Sequence, residues 1–170
     1  QAKKLKQKIY FKELKKNYFL LKNLKYQKLN LINVDYDQKK IFKKISPKSN
    51  NYIKMSFDIG LKLMKEGVSK KFINGPISKE SFLNNKFNGI TEYLAYRTRT
   101  QKFAMIIYNK KLSVSPLTTH IPIKYVSKRI NKNEIINKVK LISDFWKKKF
   151  NSKVRIGITG LNPHCESIDK

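Results

Sequence analysis

Two stretches of this chain end in a histidine, and the chain has no others. The first is Ser113-Val114-Ser115-Pro116-Leu117-Thr118-Thr119-His120-Ile121-Pro122, and the second is Arg155-Ile156-Gly157-Ile158-Thr159-Gly160-Leu161-Asn162-Pro163-His164-Cys165-Glu166. Each is a short apolar run that gives way to small, hydroxylated and proline residues. In an open α/β sheet, ligands bind beyond the carboxyl ends of the strands, so a histidine where a strand stops is placed for chemistry. Neutral imidazole is the commonest metal ligand among side chains, and two at equivalent strand ends could share one divalent cation. The alternative is a pair of surface-loop histidines bonded to backbone, and their wide separation matches no short zinc signature.

A third stretch, Asn74-Gly75-Pro76-Ile77-Ser78-Lys79-Glu80, puts glycine and proline before a helix start, where freed backbone amides suit an anion and Lys79 supplies charge. Lys79 is also the candidate general base, with water as the alternative. Other chemistries find less support. The glycines at 60, 67, 75, 89, 157 and 160 form no G-x-G-x-x-G loop, so a Rossmann-type dinucleotide site is not indicated. Cys165 adjoins His164 in sequence, which does not orient the two as a catalytic pair, and a free thiol is the simpler reading.

The elements that must carry these residues alternate. Residues 1–25 place Leu5, Ile9, Leu14, Tyr18 and Leu21 at roughly helical spacing among lysines, which predicts a solvated helix on the outside of a sheet. Residues 29–34 suit a strand, and 35–51 form a polar loop. A helix is expected over 52–65, with Tyr52, Met55, Ile59, Leu63 and Met64 on one face and Gly67 as its C-terminal cap. Residues 71–73 read as a short strand before the Lys79 segment. The near-continuous apolar run 103–108 suits a buried strand, Lys110 and Lys111 a turn, and the returning strand ends at His120. Ser127 or Asn131 can cap the next helix. That helix carries the stripe Ile135, Val139, Ile142, Phe145 or Trp146, and Phe150, with Trp146 as a core anchor. Residues 154–159 form the last strand. The alternation predicts an α/β domain with a largely parallel sheet flanked by helices.

With 170 residues the chain is long enough for one domain with a core of its own. Net charge is +28, which taken alone suggests a polyanion partner. Yet only four of the 39 basic residues are arginine, the residue that grips phosphate and guanine edges in a bidentate way, and the lysines are spread along the chain. A basic protein binding nucleic acid non-specifically is therefore the alternative reading, and a specific nucleic-acid function is not expected. One cysteine excludes an intramolecular disulfide and fits a reducing, cytoplasmic setting. No apolar run approaches the roughly 18 residues that would span a membrane, and no membrane partner is expected.

Thr118-Thr119-His120-Ile121-Pro122-Ile123 and Gly160-Leu161-Asn162-Pro163-His164 resemble the two histidine motifs of the 4-hydroxythreonine-4-phosphate dehydrogenase family of vitamin B6 (pyridoxal phosphate) biosynthesis. The Asn74 to Glu80 stretch and Gly89-Ile90-Thr91-Glu92-Tyr93-Leu94-Ala95 resemble two further motifs of that family, in its order and at its spacing. The resemblance implies an isocitrate/isopropylmalate-dehydrogenase-like α/β fold and a homodimer with active sites at the interface. It implies NAD as hydride acceptor, and a divalent cation (Zn, Mg, Co or Mn) held by three histidines. The implied reaction is oxidation of the secondary alcohol of 4-phosphohydroxy-L-threonine, then loss of carbon dioxide. A cation on the substrate hydroxyl would favour the alkoxide and then stabilise the enolate left by decarboxylation.

Carried over by motif, His120 and His164 are metal ligands, Thr91 is a substrate contact, and Ile90 occupies the place of the family's histidine. Three departures stand out. Ile90 removes a polar contact, which opens the alternative of a related dehydrogenase for another phosphorylated or plain hydroxy acid. Cys165-Glu166-Ser167 replaces the usual Ala-Gly-Glu after His164. The third histidine and the basic residues that hold phosphate belong to the family's C-terminal part, beyond Lys170. Residues 1–170 are thus expected to be a single partial dehydrogenase region, without the family's first strand and last part, and inactive alone.

Overall fold

The computed structural model describes residues 9–14, 29–38 and 44–162. Two compact units, Gln1–Asn84 and Asn85–Lys170, make up the chain.

In the first unit, β1 (Phe11–Glu13) pairs in parallel with β2 (Leu29–Leu31), in the register Phe11 to Leu29, Lys12 to Asn30 and Glu13 to Leu31. The ladder extends by one bond from Leu14 N–H to Leu31 O (2.8 Å). β1 corrects the helix expected over 1–25 in the part that is described. Ile9, Tyr10 and Phe11 are β-branched and aromatic, a composition that favours a pleated surface over a helix, and a partner strand was not visible in the spacing of leucines. The rest of that expected helix lies outside the described residues. β2 confirms the start of the strand expected over 29–34.

Helix α1 (Asn50–Lys65) follows a single 3₁₀ turn at Pro47–Ser49. Its end is a full Schellman motif: Gly67, at φ +76°, donates to Met64 O, and Val68 donates to Leu63 O, both at 3.0 Å. Gly67 therefore caps the helix as its position suggested. The buried face is rotated from the expected one. Phe57 is the side chain of α1 that is buried, whereas Tyr52 and Met55 are exposed. Size decides this: Phe57 fills the space between Phe72 (ring centroids 5.6 Å apart) and Phe82 (5.7 Å, stacked). Gly60 is required by the same cluster, since an added Cβ would collide with the Phe72 ring.

Residues 71–78 run without a ladder, so the strand expected over 71–73 does not form among the described residues. Short helix α2 (Lys79–Leu83) starts at Ser78, whose Oγ accepts from Ser81 N–H at 3.3 Å, and stops at Asn84 in the left-handed region. Asn50 of α1 donates from Nδ2 to Ser81 O (2.7 Å), fixing one helix on the other. Leu83 completes this small core.

The second unit opens with α3 (Ile90–Arg97), capped by Gly89. Tyr93 and Ala95 are its buried residues; Tyr93 meets Phe87 edge-on and accepts a 2.7 Å bond from Arg97. Residues 103–115 make an antiparallel turnback closed by the Ile107–Val114 bridge. Asn109 shapes the turn, its Oδ1 accepting from Lys111 N–H (2.9 Å), so the turn at Lys110 and Lys111 is as expected. The expected buried strand over 103–108 is corrected: Met105, Ile107 and Tyr108 are exposed. Apolar runs look alike whether a sheet covers both faces or one helix packs on one side, and here the helix over 132–150 meets the run through Trp146 against Tyr108 and Lys138 against Phe103 O.

After a 3₁₀ turn at Ile123–Tyr125 comes the short α4 (Val126–Arg129), which contains Ser127. Asn131 caps α5 (Lys132–Phe150): its side chain accepts from Glu134 N–H at 2.9 Å, a bond worth about 1 kcal/mol. Lysines 147 to 149 sit in the last turn, where the helix dipole favours cations. No residue of α5 is fully buried. Trp146 is half-buried within an aromatic group, 4.9 Å from Phe150 and 6.1 Å from Tyr108, while Lys138 donates to Phe103 O at 3.2 Å. Residues 154–159, expected as the last strand, have no ladder among the described residues, although Val154 and Ile156 alternate inward.

Helices with a parallel strand pair give an α/β chain, as the alternation indicated. Among the described residues no helix is long and apolar enough to cross a membrane.

Candidate active site around His120

The second unit brings one group of polar residues together around the start of α3. Gly89, buried and fully extended, places Ile90, Thr91 and Glu92 in the first helical turn. A carboxylate at the third position is favoured by the amide dipoles of that turn. Glu92 does not spend both oxygens locally. Its Oε1 accepts a 2.9 Å bond from Thr119 Oγ1, reaching across to the segment that carries His120.

His120 adopts φ +52°, a left-handed conformation in which histidine, asparagine and aspartate are over-represented. The ladder of the preceding turnback ends at Val114, so His120 lies in irregular backbone beyond it and not at a strand terminus. The residue is exposed, and the edge of its ring lies over Gly89. A Cβ built on Gly89 would lie 3.3 Å from His120 Nε2 and Cδ2, and 2.9 Å from Glu92 Oε2. Imidazole and carboxylate thus both border the space above Gly89. Glu92 Oε2 is buried there without a hydrogen-bond partner among the described residues.

Gly89 is needed for space, since its φ of −167° is open to any residue. Gly89→Ala is expected to move the Glu92 carboxylate or the His120 ring. The clash falls on a flexible side-chain end, so stability should fall by no more than the roughly 1 kcal/mol at the mild end of overpacking. Thermal unfolding and a crystal structure of the variant would check this. An unmoved carboxylate would remove the steric role.

Lys79 belongs to the first unit, exposed at the first position of α2. Beside α2 opens a cleft of about 570 Å³, lined by Ser46, Ser49 and Asn50 and by residues 74–78. Ile90 and Thr91 are half-buried in the first turn of α3, next to Glu92. His164, with Cys165 and Glu166, lies outside the described residues. Among the described residues no three His, Cys, Asp or Glu side chains converge as a metal site. Glu92, Thr119 and Gly89 were not singled out as site residues by sequence. The available signal was a glutamate three residues after Gly89 and a threonine directly before His120.

The profile of the family described as pyridoxal phosphate biosynthetic protein PdxA matches residues 1–167. The chain belongs to the PdxA family. Among curated proteins, a Sulfurihydrogenibium 4-hydroxythreonine-4-phosphate dehydrogenase is 44% identical over 108 residues, covering 60% of this chain and 34% of that protein. The protein of the same description from Aquifex aeolicus is 44% identical over 80 residues, covering 47% of this chain and 25% of its own length. The chain thus spans well under half of either relative. A solved Salmonella typhimurium protein considered a 4-hydroxythreonine-4-phosphate dehydrogenase superposes with a TM-score of 0.79 at 20% identity, covering 97% of this chain and 52% of that one. That likeness establishes the chain's fold as the one seen in the Salmonella protein.

Proposed function

We propose that the protein to which this chain belongs oxidises 4-phosphohydroxy-L-threonine with NAD and a divalent cation, and that carbon dioxide is then lost, in pyridoxal phosphate biosynthesis. Membership of the PdxA family is the observation that carries the reading. The His120 segment supports it from the structure, because Thr119 ties that segment to the first turn of α3 and leaves the adjacent imidazole exposed, as a ligand to a divalent cation must be.

His120 and His164 would hold the cation, which when bound makes a secondary alcohol easier to ionise and a carbanion easier to form. The chain's own residues do the positioning. His120 is held by a left-handed turn, and Thr119 is tied to α3. Thr91, one residue before Glu92, would bind substrate from the same helical turn. Lys79 is the proposed base, at the start of α2. No described residue is assigned to NAD, and the singly placed glycines form no glycine-rich dinucleotide loop. The working protein would be a cytoplasmic homodimer with its site at the interface, in which residues 1–170 form one partial α/β region.

The test is NADH formation by the complete protein with 4-phosphohydroxy-L-threonine, with and without a chelator. Chelator-sensitive NADH formation with release of carbon dioxide supports the proposal; no turnover with any divalent cation overturns it. Ile90 favours one second reading, a relative acting on another phosphorylated hydroxy acid, because an apolar side chain stands in the first turn beside Thr91. Faster turnover of a phosphorylated hydroxy acid without the amino group would select it.

A further inference from the structure

We infer that Glu92 is the positioning residue for His120. The inference shares its site with the proposed dehydrogenase and rests on that reading for its purpose, though not for its geometry.

Three observations carry it. Glu92 Oε1 is committed to Thr119 Oγ1, the side chain next to His120 in sequence, at 2.9 Å. Glu92 Oε2 is buried and has no hydrogen-bond partner among the described residues, a state that is costly for a carboxylate oxygen. The same Oε2 and the Nε2 edge of His120 lie against one point above Gly89, within 2.9 and 3.3 Å of it. The Nε2 edge of His120 is a side-chain group close to that space that can donate to Oε2, beside the main-chain N–H groups at the start of α3. A bond from the imidazole would give the buried carboxylate oxygen its partner.

The consequence is a fixed tautomer. An imidazole that donates from one nitrogen to a carboxylate must present the other as a lone pair, which is the form that binds a cation or accepts a proton. Glu92 would therefore decide both where the ring of His120 points and which nitrogen is available. Thr119 would keep the carboxylate from rotating away, so that the pair Glu92 and Thr119 acts as one brace.

The test uses the complete protein, freed of metal and labelled with ¹⁵N-histidine, with the His120 signals assigned by their loss in His120→Gln. Wild type should show one dominant tautomer. In Glu92→Gln, Thr119 can still donate to the amide oxygen, which leaves an NH₂ facing the ring. The tautomer should then invert or average, and cobalt should bind about 10–100-fold more weakly, as when other partners of metal-bound histidines are removed. Thr119→Val keeps the charge and frees the carboxylate, so it should shift the spectrum in the same direction, and it serves if Glu92→Gln folds poorly. Unchanged His120 signals in a folded Glu92→Gln or Thr119→Val protein overturn the inference. A wild type that binds no cobalt but loses its tautomer preference in Glu92→Gln sinks the metal-dehydrogenase reading and supports this one.

Discussion

His120→Ala in the complete protein should lower metal-stimulated NADH formation by at least about 100-fold. Removing a group that only braces a metal ligand costs about 10–100-fold in affinity or activity, and a ligand itself should cost no less. The loss must be separated from damage to the fold. His120 is exposed, and substitutions at exposed positions usually change stability by less than about 0.5 kcal/mol. Its φ of +52° adds a second effect, because alanine is strained there at a cost of roughly 1–2 kcal/mol while glycine is not. His120→Gly should therefore be the more stable variant and equally inactive. Activity retained by His120→Gly would show that the backbone turn matters and the imidazole does not.

Phe57→Ala should destabilise the protein by about 3–5 kcal/mol, the range for truncating a buried phenylalanine. The side chain is 4% exposed and lies between the rings of Phe72 and Phe82, so alanine would leave a void that three separate segments cannot close together. Against a total stability of about 5–15 kcal/mol the variant would be near its folding limit. Met55→Ala, on the same helix but 42% exposed, should cost well under half as much. Urea titrations of both variants give the comparison through their midpoints, provided the slopes agree. Equal losses would mean that the face of α1 containing Met55 is the covered one.

Helices α1 and α5 were legible because their signals are local: a glycine beyond the last turn, an asparagine three residues before a glutamate, apolar residues at helical spacing. The covered side of α1 was read one step out of register because leucine and methionine positions were weighted like Phe57, and a ring makes more contacts than either. Strands fared worse, since a strand is defined by its neighbour. Phe11 to Glu13 has one and was read as helix; residues 71–73 and 154–159 have the composition but no ladder among the described residues. The candidate site divides the same way. His120 was visible from its motif. Its link to Glu92 passes through Thr119, 27 residues from the carboxylate in sequence, a distance no periodicity reaches. His164 carries the same motif logic and lies outside the described residues.

The aromatic group on α5 has a practical consequence. Trp146 is the chain's single tryptophan, its ring centroid 6.1 Å from that of Tyr108 and in edge-on and tilted contact with Phe145 and Phe150 of α5 itself. Tyr108 belongs to the turnback that leads into the Thr119 and His120 segment, so the indole is an optical reporter of whether that turnback lies on the helix. Its emission colour reads the surroundings of α5 in the second unit, and a red shift would mark the loss of those ring contacts.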